Sequence, residues 1–246
     1  MRVRPVLGET RSVPDEIRRT LRAAAHCGDA TVMIDLLNEI DVHPYLQLTG
    51  TTLVAATADR VSGADVLAGR CQTALQARCW DGDLDLHADL GAALTGPPPE
   101  LQSLPTALDD LAQLLDNAHG EGGAINLADG TVWPRPAIEY SDEIGEPVDL
   151  DDSHRWLIVH SQGAEPAFQD MVTFIDLLDD RTAAEKLSSA IDGRGAFRRF
   201  RRVLDAHDEL HTRWSGYAEE RRLGRARAWL ARAGYRPVPE NLPTVL

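Results

Sequence analysis

The segment GRGAFRRFRRVLD, residues 193–205, places five arginines in the ten residues Gly193–Arg202 of a chain whose net charge is −14. A guanidinium is a planar fork of donors that matches phosphate and carboxylate oxygens. The chemistry on offer is therefore recognition of an anion, with Arg194, Arg198, Arg199, Arg201 and Arg202 as the candidate contacts. The apolar residues Ala196, Phe197, Phe200, Val203 and Leu204 recur at spacings of 3, 4 and 7. That pattern predicts a helix with both phenylalanine rings turned into the core and the guanidinium groups left outside. Gly193 and Gly195 stop the preceding helix and allow a tight turn. The outer face could grip a nucleic-acid backbone, or an acidic patch on a protein or on a second copy of the chain. It could equally be a solvated face, partly paired with acids of the same molecule.

Other residues carry less. His207 and His211 have the i, i+4 spacing of a zinc-binding helix face, but Asp208 stands where a zincin has glutamate, and the pair falls where one helix ends and another begins. Val159-His-Ser-Gln-Gly163 resembles a nucleophile elbow, but that elbow has glycine where Val159 stands, so Ser161 reads as a strand-end residue. Gly193-Arg-Gly195 is too short for a phosphate-cradling loop and lacks its Lys-Ser/Thr pair. The paired acids Asp109-Asp110, Asp151-Asp152 and Asp179-Asp180 fit helix N-termini or turns. The residues thus imply no metal, no cofactor and no catalytic group.

The elements that must hold the arginines follow from the rest of the chain. Its 246 residues, 43% hydrophobic, suffice for one large core or two smaller ones. No apolar run reaches the ~18 residues of a membrane span, and the first residues lack the apolar stretch of a signal peptide. A cytoplasmic protein is expected, with Cys27, Cys71 and Cys79 as buried, reduced thiols. Gly193–Arg236 holds twelve arginines against five acids, a surplus of seven, so the remainder carries −21. Such asymmetry marks either an interaction surface or an acidic part docked on a basic part of the same chain.

Helices are expected from Val13, near 32–40, and through 64–94 with a break at Gly82. Residues 45–54 alternate around Gly50 and predict a hairpin. Three prolines, 97–99, mark a boundary between a mostly helical region, 1–97, and a second domain, 98–246. Beyond it come an amphipathic helix around Leu108–Leu115, a hairpin turning at Asp129-Gly130, a strand at 156–160, and helices at 166–178, 182–191, 195–205 and 209–233. The class is α+β: a helical N-terminal region, a small antiparallel sheet in the middle and a C-terminal helical cluster.

The run Ala190-Ile-Asp-Gly-Arg-Gly-Ala-Phe-Arg-Arg-Phe200 resembles the signature of the UPF0158 family of uncharacterised bacterial proteins, A-I-x-G-(K/R)-G-A-F-R-R-F-(K/R). The preceding helix, with Met171 and Phe174, the later Trp214 and Tyr217, Trp229-Leu230, Val148-Asp-Leu-Asp151 and the hairpin around Gly130 also have counterparts there. Where many members have W-Y-x-F, this chain has Trp214-Ser-Gly-Tyr217. The resemblance covers roughly residues 105–236. It implies a shared architecture that includes the arginine block, and no reaction.

The expected function is non-enzymatic binding of nucleic-acid phosphates by Arg194, Arg198, Arg199, Arg201 and Arg202, with no membrane partner. The alternatives are a module docking those arginines on an acidic protein or on another copy of the chain, and an enzyme without a recognisable motif.

Overall fold

The computed structural model describes residues 13–96, 100–141, 143 and 148–240. Five helices come first: α1 (Val13–Cys27), α2 (Ala30–Glu39), α3 (Leu46–Ala58, entered by a 3₁₀ turn at His43–Tyr45), α4 (Ala64–Arg78) and α5 (Asp83–Thr95). Strand β1 (Gln102–Leu104), helix α6 (Leu108–Leu115), strands β2 (Gly123–Asn126) and β3 (Val132–Pro134), helix α7 (Arg135–Glu139) and strand β4 (Trp156–Val159) form the middle. Helices α8 (Glu165–Asp176), α9 (Arg181–Ile191), α10 (Ala196–Leu204) and α11 (Asp208–Arg232) follow, then strand β5 (Tyr235–Pro237).

The architecture is α+β. An antiparallel sheet of order β3-β2-β4 sits in the middle, with Ile125 opposite both Val132 and Leu157. A second pairing escapes sequence reading. β1 and β5 run parallel, with Gln102 opposite Tyr235 and Leu104 opposite Pro237. Strands of three residues so far apart leave no local signature.

The expected hairpin at 45–54 is wrong, for that segment is helix α3. Leu46, Gln47, Leu48, Thr49, Gly50, Thr52, Leu53 and Val54 are all buried, so no polar face reveals a helical period. The threonines, which read as β-formers, turn their hydroxyls onto the preceding turn: Thr49 donates to Tyr45 O and Thr57 to Leu53 O, both at 2.7 Å. Gly50 is there for close approach. A Cβ at that position would lie 2.5 Å from Leu86 Cδ2 on α5.

The largest buried cluster takes Leu67, Leu75 and Leu86 from before the prolines and Leu104, Leu111, Leu223 and Leu230 from after them. The proline run 97–99 itself lies outside the described residues. A second cluster, Met171, Phe174, Leu187, Phe200 and Leu204, holds α8, α9 and α10 together, with Trp214 and Tyr217 of α11 packed against it. Helix α11, 25 residues and therefore about 37 Å long, thus spans both cores, its first half under α10 and its second against the N-terminal helices.

Of the three cysteines only Cys71 is buried; Cys27 and Cys79 are exposed, against expectation. Burial pushes the Cys71 thiol up to about 12. Among the described residues no helix is long and apolar enough to cross a membrane.

Candidate nucleic-acid interface

Two glycines in left-handed backbone, Gly193 (φ 72°) and Gly195 (φ 79°), make the turn from α9 into α10. This is the conformation that only glycine adopts without strain. Helix α10 then buries Ala196, Phe200 and Leu204, a stripe at spacings of four. Phe200 packs edge-on to Trp214, ring centroids 4.8 Å apart.

Arg194, Arg198, Arg201 and Arg202 are exposed. No carboxylate among the described residues lies within ion-pairing distance of them.

Arg199 is different. Its guanidinium turns back onto the C-terminus of α9, donating from Nε to Ala190 O (2.9 Å) and from Nη2 to Gly193 O (3.3 Å), with Asp192 O and Arg194 O also in contact. The glycine turn leaves those carbonyls pointing one way, and the planar fork gathers them. Of the five predicted arginines, Arg199 is therefore a brace for the turn and not an outward contact.

Phe197 also departs from expectation. It is 44% exposed and leans on Phe168, centroids 6.4 Å apart. A nine-residue helix whose neighbours all lie on one side buries one narrow stripe, and Phe197 falls at its edge.

The arginines in the middle of α11 are engaged inside the molecule, whereas Arg213 and Arg232 near its two ends are exposed. Asp170 on α8 accepts from Arg221 Nε (2.9 Å) and Arg225 Nη1 (2.7 Å). Asp116, just past α6, accepts from Arg222 Nε (2.9 Å) and Arg225 Nη2 (3.4 Å). Arg227, fully buried, donates to Gln47 Oε1 (2.8 Å) and Thr51 Oγ1 (3.0 Å) and faces Asp89 at 3.7 Å. Burial lowers its pKa and raises that of Asp89, and each one's charge opposes the other's shift.

Glu220 on α11 caps α3, accepting from the Gln47 and Leu48 backbone N–H groups (2.9 and 3.0 Å) and from Arg78 (2.8 Å), which also grips Asp83. Burial alone would push the Arg78 guanidinium down; hydrogen bonding to Asp83 and the Glu220 charge raise it instead. Nothing local in the sequence signals these contacts, which join residues up to 180 positions apart.

Residues 138–244 match the family model of UPF0158, an uncharacterised protein family. The matched segment takes in β4, α8 to α11 and β5, hence both the open and the paired arginines. It begins later than the sequence resemblance and leaves out α6 and the β2–β3 hairpin. No curated protein and no solved structure matches the chain.

The remaining candidates resolve simply. His207 precedes α11 in extended backbone, so His207 and His211 do not share a helical face. The Ser161 hydroxyl donates to Asn117 O (2.6 Å), with Leu115 O nearby at 3.2 Å, and accepts from Gly163 N–H, which makes it a loop tie. Asp109 and Asp110 lie in the first turn of α6, and Asp180 caps α9.

Sequence reasoning missed a cleft of about 920 Å³ between the N-terminal helices and α8 and α11, lined by Tyr45, Trp80, Phe174 and Tyr217 with Arg18 and Arg78. Its two buried arginines are already used: Arg18 binds Glu219, and the Arg78 guanidinium stacks 4.3 Å over Trp80. Burial pushes the Tyr45 and Tyr217 phenols up, so both stay protonated at neutral pH.

Proposed function

We propose that the chain binds nucleic acid through the outer face of α10, with Arg194, Arg198, Arg201 and Arg202 as phosphate contacts. One observation carries the reading: these four guanidiniums are exposed and unpaired among the described residues, in a chain that pairs its other basic cluster internally. An exposed arginine with five donors and no carboxylate is set for an external anion. The strongly acidic remainder repels a polyanion, which would confine binding to this one face.

Fluorescence polarisation of a labelled oligouridylate at low salt tests it. Replacing all four arginines by alanine is expected to weaken binding by at least about tenfold, because each lost phosphate contact removes a released counterion. If the variant and the natural chain bind equally weakly, the reading is wrong. If polyglutamate displaces the oligonucleotide as readily as unlabelled RNA does, an acidic protein is the better partner.

A further inference from the structure

Resting on that reading, we infer that the nucleic acid is single-stranded and that Phe197 stacks one unpaired base at the mouth of the groove between α10 and α11. The first observation is the ring itself. Large aromatic side chains are normally drawn into the core, yet Phe197 remains 44% exposed on a helix that buries its neighbour Phe200. Phe168 stands edge-on to the ring, and apolar surface of Phe197 remains uncovered.

The second observation is what stands beside it. Phe197 and Arg201, one helical turn apart, line the same groove of about 330 Å³, with His211, Trp214 and Ser215 opposite. That volume takes a nucleobase and not a duplex. The Ser215 hydroxyl donates to His211 O (2.8 Å) and keeps its lone pairs for an incoming N–H, and the exposed His211 ring adds a second polar edge.

The third is charge placement. Arg198 and Arg202 repeat at i, i+4 on the outer side of α10, about 6 Å apart along its axis. They lie together to one side of Phe197 on the helix, a short positive track beside an aromatic ring, the pairing by which single-strand binders follow the backbone and stack bases. A duplex keeps its bases in the stack and offers Phe197 no partner, short of a wedge forced between base steps.

The test compares a labelled oligouridylate with its duplex with oligoadenylate, using the natural chain, Phe197→Ala, Phe197→Trp and Arg198→Ala/Arg202→Ala. The single strand is expected to bind tighter than the duplex. Phe197→Ala should weaken single-strand binding about tenfold and leave duplex binding unchanged, while Phe197→Trp retains the affinity. Because the ring is exposed, thermal melting should show Phe197→Ala folded. Equal affinity for the two forms, or a Phe197→Ala variant that binds the single strand like the natural chain, overturns the inference. The phosphate reading fails separately, if Arg198→Ala/Arg202→Ala binds both forms undiminished.

Discussion

Helices α10 and α11 are neighbours in the chain and both rich in arginine, yet the middle of α11 uses that residue in the opposite way to α10, while Arg213 and Arg232 near the ends of α11 are exposed. On α11, Arg221, Arg222 and Arg225 share Asp116 and Asp170, and Arg227 lies fully buried among Gln47, Thr51 and Asp89. On α10, Arg198, Arg201 and Arg202 reach solvent without a carboxylate. The difference comes from packing. Helix α11 runs between two cores, and a guanidinium held out of water must be paired or it costs several kcal/mol. Helix α10 rests on one side only, and nothing forces its outward cations to find partners. Arginine content alone therefore marks no site; the packing of the helix that carries it decides.

The largest expected effect falls on the paired side. Asp170→Ala strips the shared acceptor from Arg221 and Arg225, leaving them only the longer contacts to Asp81 (3.7 Å) and Asp116 (3.4 Å), and should cost about 3–5 kcal/mol, the penalty for breaking a buried ion pair. In a chain of this length that is roughly 6–20 °C in Tm, readable by calorimetry. A Tm within 2 °C or so of the natural chain's would erase the contrast between the two helices.

The next divides the two phenylalanines. Phe200→Ala should lose about 3–5 kcal/mol in urea melts, the cost of a buried ring. Phe197→Ala should lose less than about 1 kcal/mol. Equal losses would return Phe197 to the core and remove the stacking surface.

Third, Arg199→Ala should cost about 1–3 kcal/mol by leaving the α9 carbonyls without their donor, with oligonucleotide affinity retained in proportion to folded protein. Arg198→Ala should do the reverse, with stability within about 0.5 kcal/mol and weaker binding. If both variants bind alike, the division of the arginine block is wrong.

The smallest effect is electrostatic. Burial raises the pKa of Asp85 and of Asp89 against the opposing charge of Arg227. The folded state then holds those protons to higher pH than the unfolded chain, where aspartate titrates near ~3.9. Stability accordingly falls as pH rises through that window. Asp85→Asn should make the fall shallower in thermal melts taken from about pH 4 upward. An unchanged profile would remove Asp85 from the account.

Much of this was legible in the sequence, for local reasons. The spacing of Leu108, Leu111, Leu114 and Leu115, the Asp129-Gly130 turn and the glycines before α10 all encode their structure within a few residues. What escaped is non-local. Helix α3 is capped by a carboxylate 173 positions away, and its burial on every side hides its period. The separate roles of Arg198 and Arg199 depend on where a turn aims its carbonyls. The exposure of Phe197 depends on how much of a short helix its neighbours α8, α9 and α11 cover.

The salt dependence of oligouridylate binding tests the central claim most directly. Four phosphate contacts predict a slope of log Kobs against log[salt] of about −2.8 for a single strand. Arg198→Ala/Arg202→Ala should reduce that magnitude by about 1.4, and Arg221→Ala, whose guanidinium belongs to Asp170, should leave it unchanged. A slope that stays the same in the α10 variant, or falls only in the α11 one, would contradict the assignment of the open arginines to phosphate.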